Sequence, residues 1–263
     1  MRHRHRTRFG LLGVVTALLL ALAPSATASP PLQISGESAQ ILQSMLDAGS
    51  DRSGAAVSGR FLGTPYGANT LVGSADVPEE LVVDLQRVDC FTYADYVEAL
   101  KRAGNRDEFI DSLIAVRYKN GVVNFANRKH FFTDWAASAP AVATDVTESL
   151  SDNVIRTPKS LNAKDSGGVY LTGLPIVERT VTHLPSAQVD ADVVSRLRTG
   201  DYLGAYAEDG GLDVTHVGIF IDTPDGPVFR NASSLSANRS VVDTPLTDYL
   251  NTVPGVVVLR PVV

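Results

Sequence analysis

Two Asp-Gly dipeptides, at 209–210 and 225–226, separate three short segments of alternating apolar residues: DYLGAYA (201–207), DVTHVGIFID (213–222) and PVFRNASS (227–234). Asp-Gly adopts the positive backbone angles that a tight hairpin demands, and period-two alternation matches a strand with one covered face. The three segments therefore read as antiparallel strands joined as hairpins. IVERTVTHLP (176–185) and GVVVLRPV (255–262) read as further strands. DADVVSRLRTGD (190–201) reads as a short helix with a turn, and TPLTDYLNTV (244–253) as a helix.

The first half has a different period. SAQILQSMLDAGSD (38–51) places Ile41, Met45 and Leu46 on one side of a helix that closes at Gly49. RFLGTPYGANTLVG (60–73) reads as a structured loop. A helix starts at Cys90 and should stop near Gly104. RDEFIDSLIAVRYKNG (106–121) reads as another, closing at Asn120-Gly121. VVNFANRKHFFTDWAA (122–137) is rich in aromatics without a period, and 141–152 is helical or irregular. Helices first and an antiparallel sheet second is an α+β order. In the Cys90 helix, Phe91, Ala94, Val97 and Leu100 are expected to face the core, with Asp95 and Glu98 turned away. The acids generally lack the paired spacing of a glycosidase and are assigned to solvated faces.

The chain opens MRHRHRTRFG, with four arginines and no acid. A short apolar run to Ala23 follows, then PSATAS, with an A-x-A site at Ala26–Ala28. This is the pattern of a secretory signal peptide, residues 1–28, cleaved after Ala28. The alternative is an uncleaved anchor, but the apolar run is short of the roughly 20 residues of a span. A stable membrane span is not expected after cleavage. Residues 29–37 form a Pro/Ser/Gly-rich flexible lead-in, and 38–263 a single domain. Removing the leader takes four arginines from 23 basic residues, leaving 19 against 29 acids, a net of −10. No basic stripe marks a nucleic-acid partner. The expected location is secreted or cell envelope, and the expected state a monomer.

Export makes the single cysteine, Cys90, informative. Exported proteins use cysteines mostly in pairs. An unpaired thiol is either a small buried hydrophobe or a reactive group. Cys90 follows Asp89, a good N-cap residue, so it falls in the first turn of a helix. The partial positive charge there favours a thiolate, and the free N–H groups can hold an oxyanion. A nucleophilic thiol needs a base and a group to orient it. His216 lies in an alternating strand, and if the 223–227 turn pairs the next strand, Asn231 falls near it. Each residue alone has a plain structural explanation. Together they form a Cys-His-Asn set. Of the other histidines outside the leader, His183 reads as structural, and three histidines with one cysteine exclude a structural zinc site.

These residues resemble the NlpC-type papain-like peptidoglycan hydrolases, and more closely their N-acetylmuramoyl-L-alanine amidase-like branch (domain of unknown function 1460). The resemblance rests on FLGTPY (61–66), RVDCFTY (87–93), VRYKNG (116–121), NRKHFFTDW (127–135), TGD (199–201), THVGIF (215–220), FRNASS (229–234) and the closing VLRPV, over about residues 38–263. It implies a papain-like fold with the nucleophile helix packed on the C-terminal sheet. It makes Cys90 the nucleophile, His216 the general base and acid, and Asn231 the orienting residue. Tyr66 would assist the oxyanion hole beside the Cys90 N–H, and Asp89 would touch substrate as well as cap the helix; a turn tyrosine and a simple cap are the alternatives. Arg128, His130, Asp134 and Trp135 would line a pocket for sugar or peptide carboxylates, or else plug the core and cap a helix. Endopeptidases of the superfamily read Asp-Cys-Ser-Gly; here Asp-Cys-Phe-Thr favours the bond between the muramic acid lactyl group and L-Ala. Peptidoglycan is the implied partner, and no cofactor is implied. The rival readings are a stem-peptide endopeptidase, a non-catalytic wall-binding domain and a thiol acyltransferase.

Overall fold

The computed structural model describes residues 31–262. The expected signal peptide lies outside the described residues. In chain order the elements are β1 (Leu32–Ile34), α1 (Ser38–Asp47), α2 (Gly54–Gly59), β2 (Leu81–Val83), α3 (Cys90–Lys101), α4 (Arg106–Arg117), α5 (Asp134–Ala137), β3 (Ala143–Asp145), α6 (Thr147–Leu150), β4 (Ile155–Leu161), β5 (Val177–Pro185), α7 (Ala191–Arg196), β6 (Tyr202–Tyr206), β7 (Val214–Ile221), β8 (Val228–Ala232), β9 (Val241–Pro245), α8 (Leu246–Leu250) and β10 (Gly255–Pro261). The longer helices precede the main sheet in the chain, as the α+β order requires.

That sheet runs β4-β5-β10-β6-β7-β8-β9, with β3 also on β10. Its pairings are all antiparallel. The two Asp-Gly turns join β6 to β7 and β7 to β8. Ala205 pairs with His216 and Ile219 with Arg230. Apolar side chains cover both faces. Val217, Ile219 and Ile221 join the core built with α1 to α4. Leu203, Phe220, Phe229 and Val256 join a second core with Leu246 and Leu250 of α8.

Several elements differ from the sequence reading. Residues 32–34, expected in a flexible lead-in, form β1 and pair in parallel with β2. The stretch at 141–152, expected to be helical or irregular, contains the short helix α6 but also strand β3. Strands β4 and β9 form the two edges of the sheet. β4 carries Pro158 and β9 ends on Pro245, residues a sheet tolerates at an edge, where no neighbour needs the missing N–H.

The largest correction concerns α3. Its acids do not face solvent: Asp95 and Glu98 are 2 % and 1 % exposed. The helix is covered on every side, so its polar residues must be paired internally. Asp95 Oδ2 accepts from Arg117 Nε at 2.7 Å, and Arg117 also donates to the Val82 carbonyl at 2.8 Å. Glu98 takes Lys101, Arg102 and the Tyr202 hydroxyl. These contacts bind α3 to α4, to β2 and to the main sheet. Asp84, Asp134, Asp201 and Asp213 are likewise buried.

A second buried cation shapes the approach to β7. Lys159 on β4 donates to the carbonyls of Ala207 and Asp209 at 2.6 and 2.7 Å, pinning the first Asp-Gly turn. Its ammonium lies over the Tyr206 ring, which stacks on His183 at 3.6 Å. His183 is structural, as its position beside Leu184-Pro185 indicated.

Removing one partner of a buried ion pair leaves the other uncompensated. Asp95→Ala is therefore expected to cost about 3–5 kcal/mol, read as a fall in the urea midpoint of the full chain. A change below about 1 kcal/mol would contradict the role given to this pair.

Candidate functional site

Cys90 owes its position to a reciprocal cap. The Asp89 carboxylate accepts from the backbone N–H of Phe91 at 3.1 Å and of Thr92 at 2.7 Å, while the Thr92 hydroxyl accepts from the Asp89 N–H at 3.0 Å. This capping box satisfies donors that the first turn leaves orphaned. Thr92 is thus part of the machinery that starts the helix. The Cys90 N–H, at the first helical position, has no intrahelical acceptor and is free to serve an oxyanion.

The strand register brings His216 and Asn231 together. On antiparallel β7 and β8, Asn231 follows Arg230, the partner of Ile219, and its Oδ1 is 3.0 Å from His216 Nε2. The amide has one workable orientation. Its Nδ2 faces the Phe229 carbonyl at 3.2 Å, which can only accept, so Oδ1 must face the imidazole. His216 therefore carries its proton on Nε2 and keeps the Nδ1 lone pair. Gly218 is required by close packing: a Cβ there would sit 2.5 Å from the Phe229 ring and 2.7 Å from the Arg230 carbonyl. The His216 ring meets Phe229 and Tyr249 at 6.0 and 6.3 Å.

Cys90 and His216 line one cavity of about 180 Å³, together with Phe91, His130, Phe131, Leu212 and Val214. Burial pushes the Cys90 thiol up to about 12, and the Asp89 carboxylate adds to this. The N–H groups of Val217, Cys90 and Phe91 work in the opposite direction and are outweighed. The N–H groups of the helix start do favour the thiolate, as expected, but burial is the larger effect. Burial also lowers His216 below the ordinary imidazole range, against the Asn231 hydrogen bond and the Asp89 charge, which raise it. Both shifts favour the neutral forms of the thiol and the imidazole.

The other expected site residues separate into two groups. Tyr66 is half-buried beside this centre: its chain bridges Val88, and burial, then the Cys90 and Asp89 charges, raise its hydroxyl. Asp89 also lines a second cavity, of about 420 Å³, with Phe125 and Arg128. His130 lines the Cys90 cavity, with Nε2 held 2.7 Å from the Phe125 carbonyl and its pKa lowered by burial to about 4. Arg128 is already committed: Nε is 2.8 Å from Glu79, and a second nitrogen donates to Val72 O at 2.9 Å. Trp135 and Asp134 are not at a pocket surface. Trp135 is fully buried, edge-on to Tyr202 at 4.8 Å, and Asp134 is buried between Arg179 and Lys119. The aromatic segment needed a core position for its indole, which the absence of periodicity concealed.

Tyr249 on α8 was not singled out by its sequence. It stacks on Phe229 at 3.9 Å, and its hydroxyl is raised by burial and by Cys90. Only the tertiary packing of α8 brings it there. Among the described residues no group of three His, Cys, Asp or Glu could hold a metal ion.

The fold and this centre define an α+β protein with a thiol, an imidazole and a carboxamide gathered at the junction of one helix and one sheet. The sequence pattern of the AmiA-like, N-acetylmuramoyl-L-alanine amidase-like family matches residues 56–256, and the chain belongs to that family. Two crystal structures of an N-acetylmuramoyl-L-alanine amidase from Bacteroides uniformis are 27 % identical. The first has a TM-score of 0.66 and covers 80 % of this chain and 99 % of that one. The second has a TM-score of 0.65 and covers 85 % and 100 %. A Legionella pneumophila protein of the domain of unknown function 1460 shares the fold, at 21 % identity and a TM-score of 0.70, over 85 % of this chain and 94 % of that one. No curated protein matches the sequence.

The burial of His216 sets the sign of a pH effect. Because burial depresses His216, the acid limb of kcat/KM is expected below pH 6.5. Asn231→Ala removes a bond that favours the imidazolium and should move the limb lower still; Asn231→Asp adds a negative charge and should raise it. Identical profiles for all three proteins would refute the contact's role. A buried thiol near 12 also predicts slow alkylation. Iodoacetamide should modify Cys90 with an apparent pKa above the ordinary thiol value of about 8.5; an apparent pKa below 7 would show a resting thiolate instead.

Proposed function

We propose that this chain is an exported, papain-like cysteine amidase that hydrolyses peptidoglycan between N-acetylmuramic acid and L-Ala. The observation that carries the reading is the His216–Asn231 bond, which leaves Nδ1 as a base at the cavity it shares with Cys90. Membership of the amidase-like family supports the substrate class. The basic, apolar, A-x-A leader supports export.

In the reaction, His216 Nδ1 takes the thiol proton as the sulfur attacks the lactyl carbonyl. The Cys90 N–H and the Tyr66 hydroxyl hold the oxyanion. The imidazolium returns the proton to the departing L-Ala nitrogen, the C–N bond breaks and a thioester remains. Water, deprotonated by His216, then attacks the thioester; the lactyl carboxylate leaves and the thiol is reformed. A neutral resting pair suits this sequence, because the proton moves only as the attack occurs. Asn231 keeps the imidazole in the working tautomer throughout. The reaction needs no metal or organic cofactor.

Digestion of defined muropeptides, followed by mass spectrometry, tests the reading. The expected products are a saccharide bearing a free lactyl carboxylate and a stem peptide with a free L-Ala amine. Cys90→Ala should lower turnover by about a thousandfold or more. Cleavage within the stem peptide would assign the chain to the endopeptidases, and undiminished digestion by Cys90→Ala would dismiss the thiol mechanism.

A further inference from the structure

The sequence LTDYL (246–250) spaces Leu246, Tyr249 and Leu250 three and four residues apart, on one face of α8. That face lies on the main sheet. Leu246 and Leu250 are buried in the second core, and Tyr249 stacks on Phe229 of β8 at 3.9 Å, with the ring planes 22° apart. Side chains alternate along a strand, so Phe229 and Asn231 share one face of β8. Arg230 takes the other face, where it meets Ala55 and Ser58 of α2. Helix α8 thus packs on the face that carries the His216–Asn231 bond. The amide is tied to the same region: Asn231 Nδ2 reaches the Thr244 hydroxyl at 3.4 Å, just before α8 begins.

Two aromatic rings therefore wall the imidazole. Phe229 meets it at 6.0 Å and 64°, Tyr249 at 6.3 Å and 46°. Phe229 is fully buried and Tyr249 half-buried, so Tyr249 is the outer ring of the stack. The reaction described above gives it no task, and its hydroxyl makes no protein hydrogen bond among the described residues. The wall matters because one neutral bond fixes the tautomer of His216. Water competing for Nε2 or for Oδ1 weakens that bond and lets the proton pass to Nδ1, the atom that must stay free. The titratable groups that face His216 from other directions are Asp89 and Cys90 at the start of α3, His130 across the shared cavity, and Asp213 at the head of its own strand, bound to Thr133. Arg230 is held by Asp243. These groups set the charge around the imidazole; the two rings set its exposure to water.

We propose that Tyr249 is a positioning residue for the base: its ring, the outer layer of the Phe229–Tyr249 stack, keeps water from the His216–Asn231 bond and so holds the imidazole in its Nε2–H tautomer. The role rests on the reading of His216 as the base, and it belongs to the ring rather than the hydroxyl. Loss of the ring admits water to the bond. Both tautomers then become populated, and hydration makes the imidazolium easier to form.

The test is an NMR titration of the full chain with isotope-labelled imidazole nitrogens, the His216 signals being identified by their loss in His216→Gln. In the parent, His216 should show the Nε2–H tautomer and a midpoint below 6.5. Tyr249→Phe should match it. Tyr249→Ala should show both tautomers and a midpoint raised toward the ordinary imidazole value of about 6.5. Leu250→Ala, which removes a buried side chain from the same helix, should lower the thermal unfolding midpoint and leave the His216 signals as in the parent. An unchanged tautomer and midpoint in folded Tyr249→Ala, an equal shift in Tyr249→Phe, or an equal shift in Leu250→Ala would each overturn the proposal. Should Tyr249→Ala not fold, Tyr249→Leu keeps apolar contact without the ring: it should shift in the same direction, and parental signals there would overturn the proposal too. The titration needs no substrate, so the amidase reading stands or falls separately, by the products of muropeptide digestion.

Discussion

Helix α3 is sealed on every side, and the ion pairs this forces upon it govern the rest of the molecule. A helix so enclosed leaves no carboxylate in water. Asp95 must have Arg117, and Glu98 must have Tyr202, Lys101 and Arg102. Each of those partners belongs to, or packs against, a different element. The helix is fixed in rotation and in height by its own acids, which sets Cys90 against β7. Such pairs are weak sources of net stability, yet breaking one is costly. Their value lies in registering one layer upon the other.

At the site, burial works against charge on the thiol. Its helix terminus offers favourable N–H groups, but burial and a neighbouring carboxylate outweigh them. Burial likewise lowers the histidine, and its tautomer is decided by a carbonyl that can only accept. Specificity of protonation comes from backbone geometry two residues along the same strand, through one amide side chain. Nothing in this arrangement depends on a permanently charged pair.

Much of this was legible in the chain. The Asp-Gly turns placed β6, β7 and β8, and the same hairpin logic put Asn231 within reach of His216. Asp89 declared the start of α3. What remained hidden has physical causes. Edge strands β4 and β9 contain proline and lack a buried period, so they resemble loops. Acids on α3 look solvated because sequence does not show that Arg117, 22 residues beyond Asp95, will meet it. Trp135 sits in a stretch with no repeat, where a core indole and a surface one read alike. The place of Tyr249 and the cavity beside Asp89 exist only once distant segments converge.

Lys159 gives the fold an unusual economy. One ammonium on an edge strand gathers the carbonyls of the turn that leads into β7, and it does so from beneath the Tyr206–His183 stack. The start of the histidine strand is therefore anchored from outside the sheet's centre, by a buried cation on the edge strand β4. One ammonium thus ties the rim of the sheet to the turn that opens the imidazole's strand, so on the proposed mechanism the placement of the base begins at an edge of the molecule.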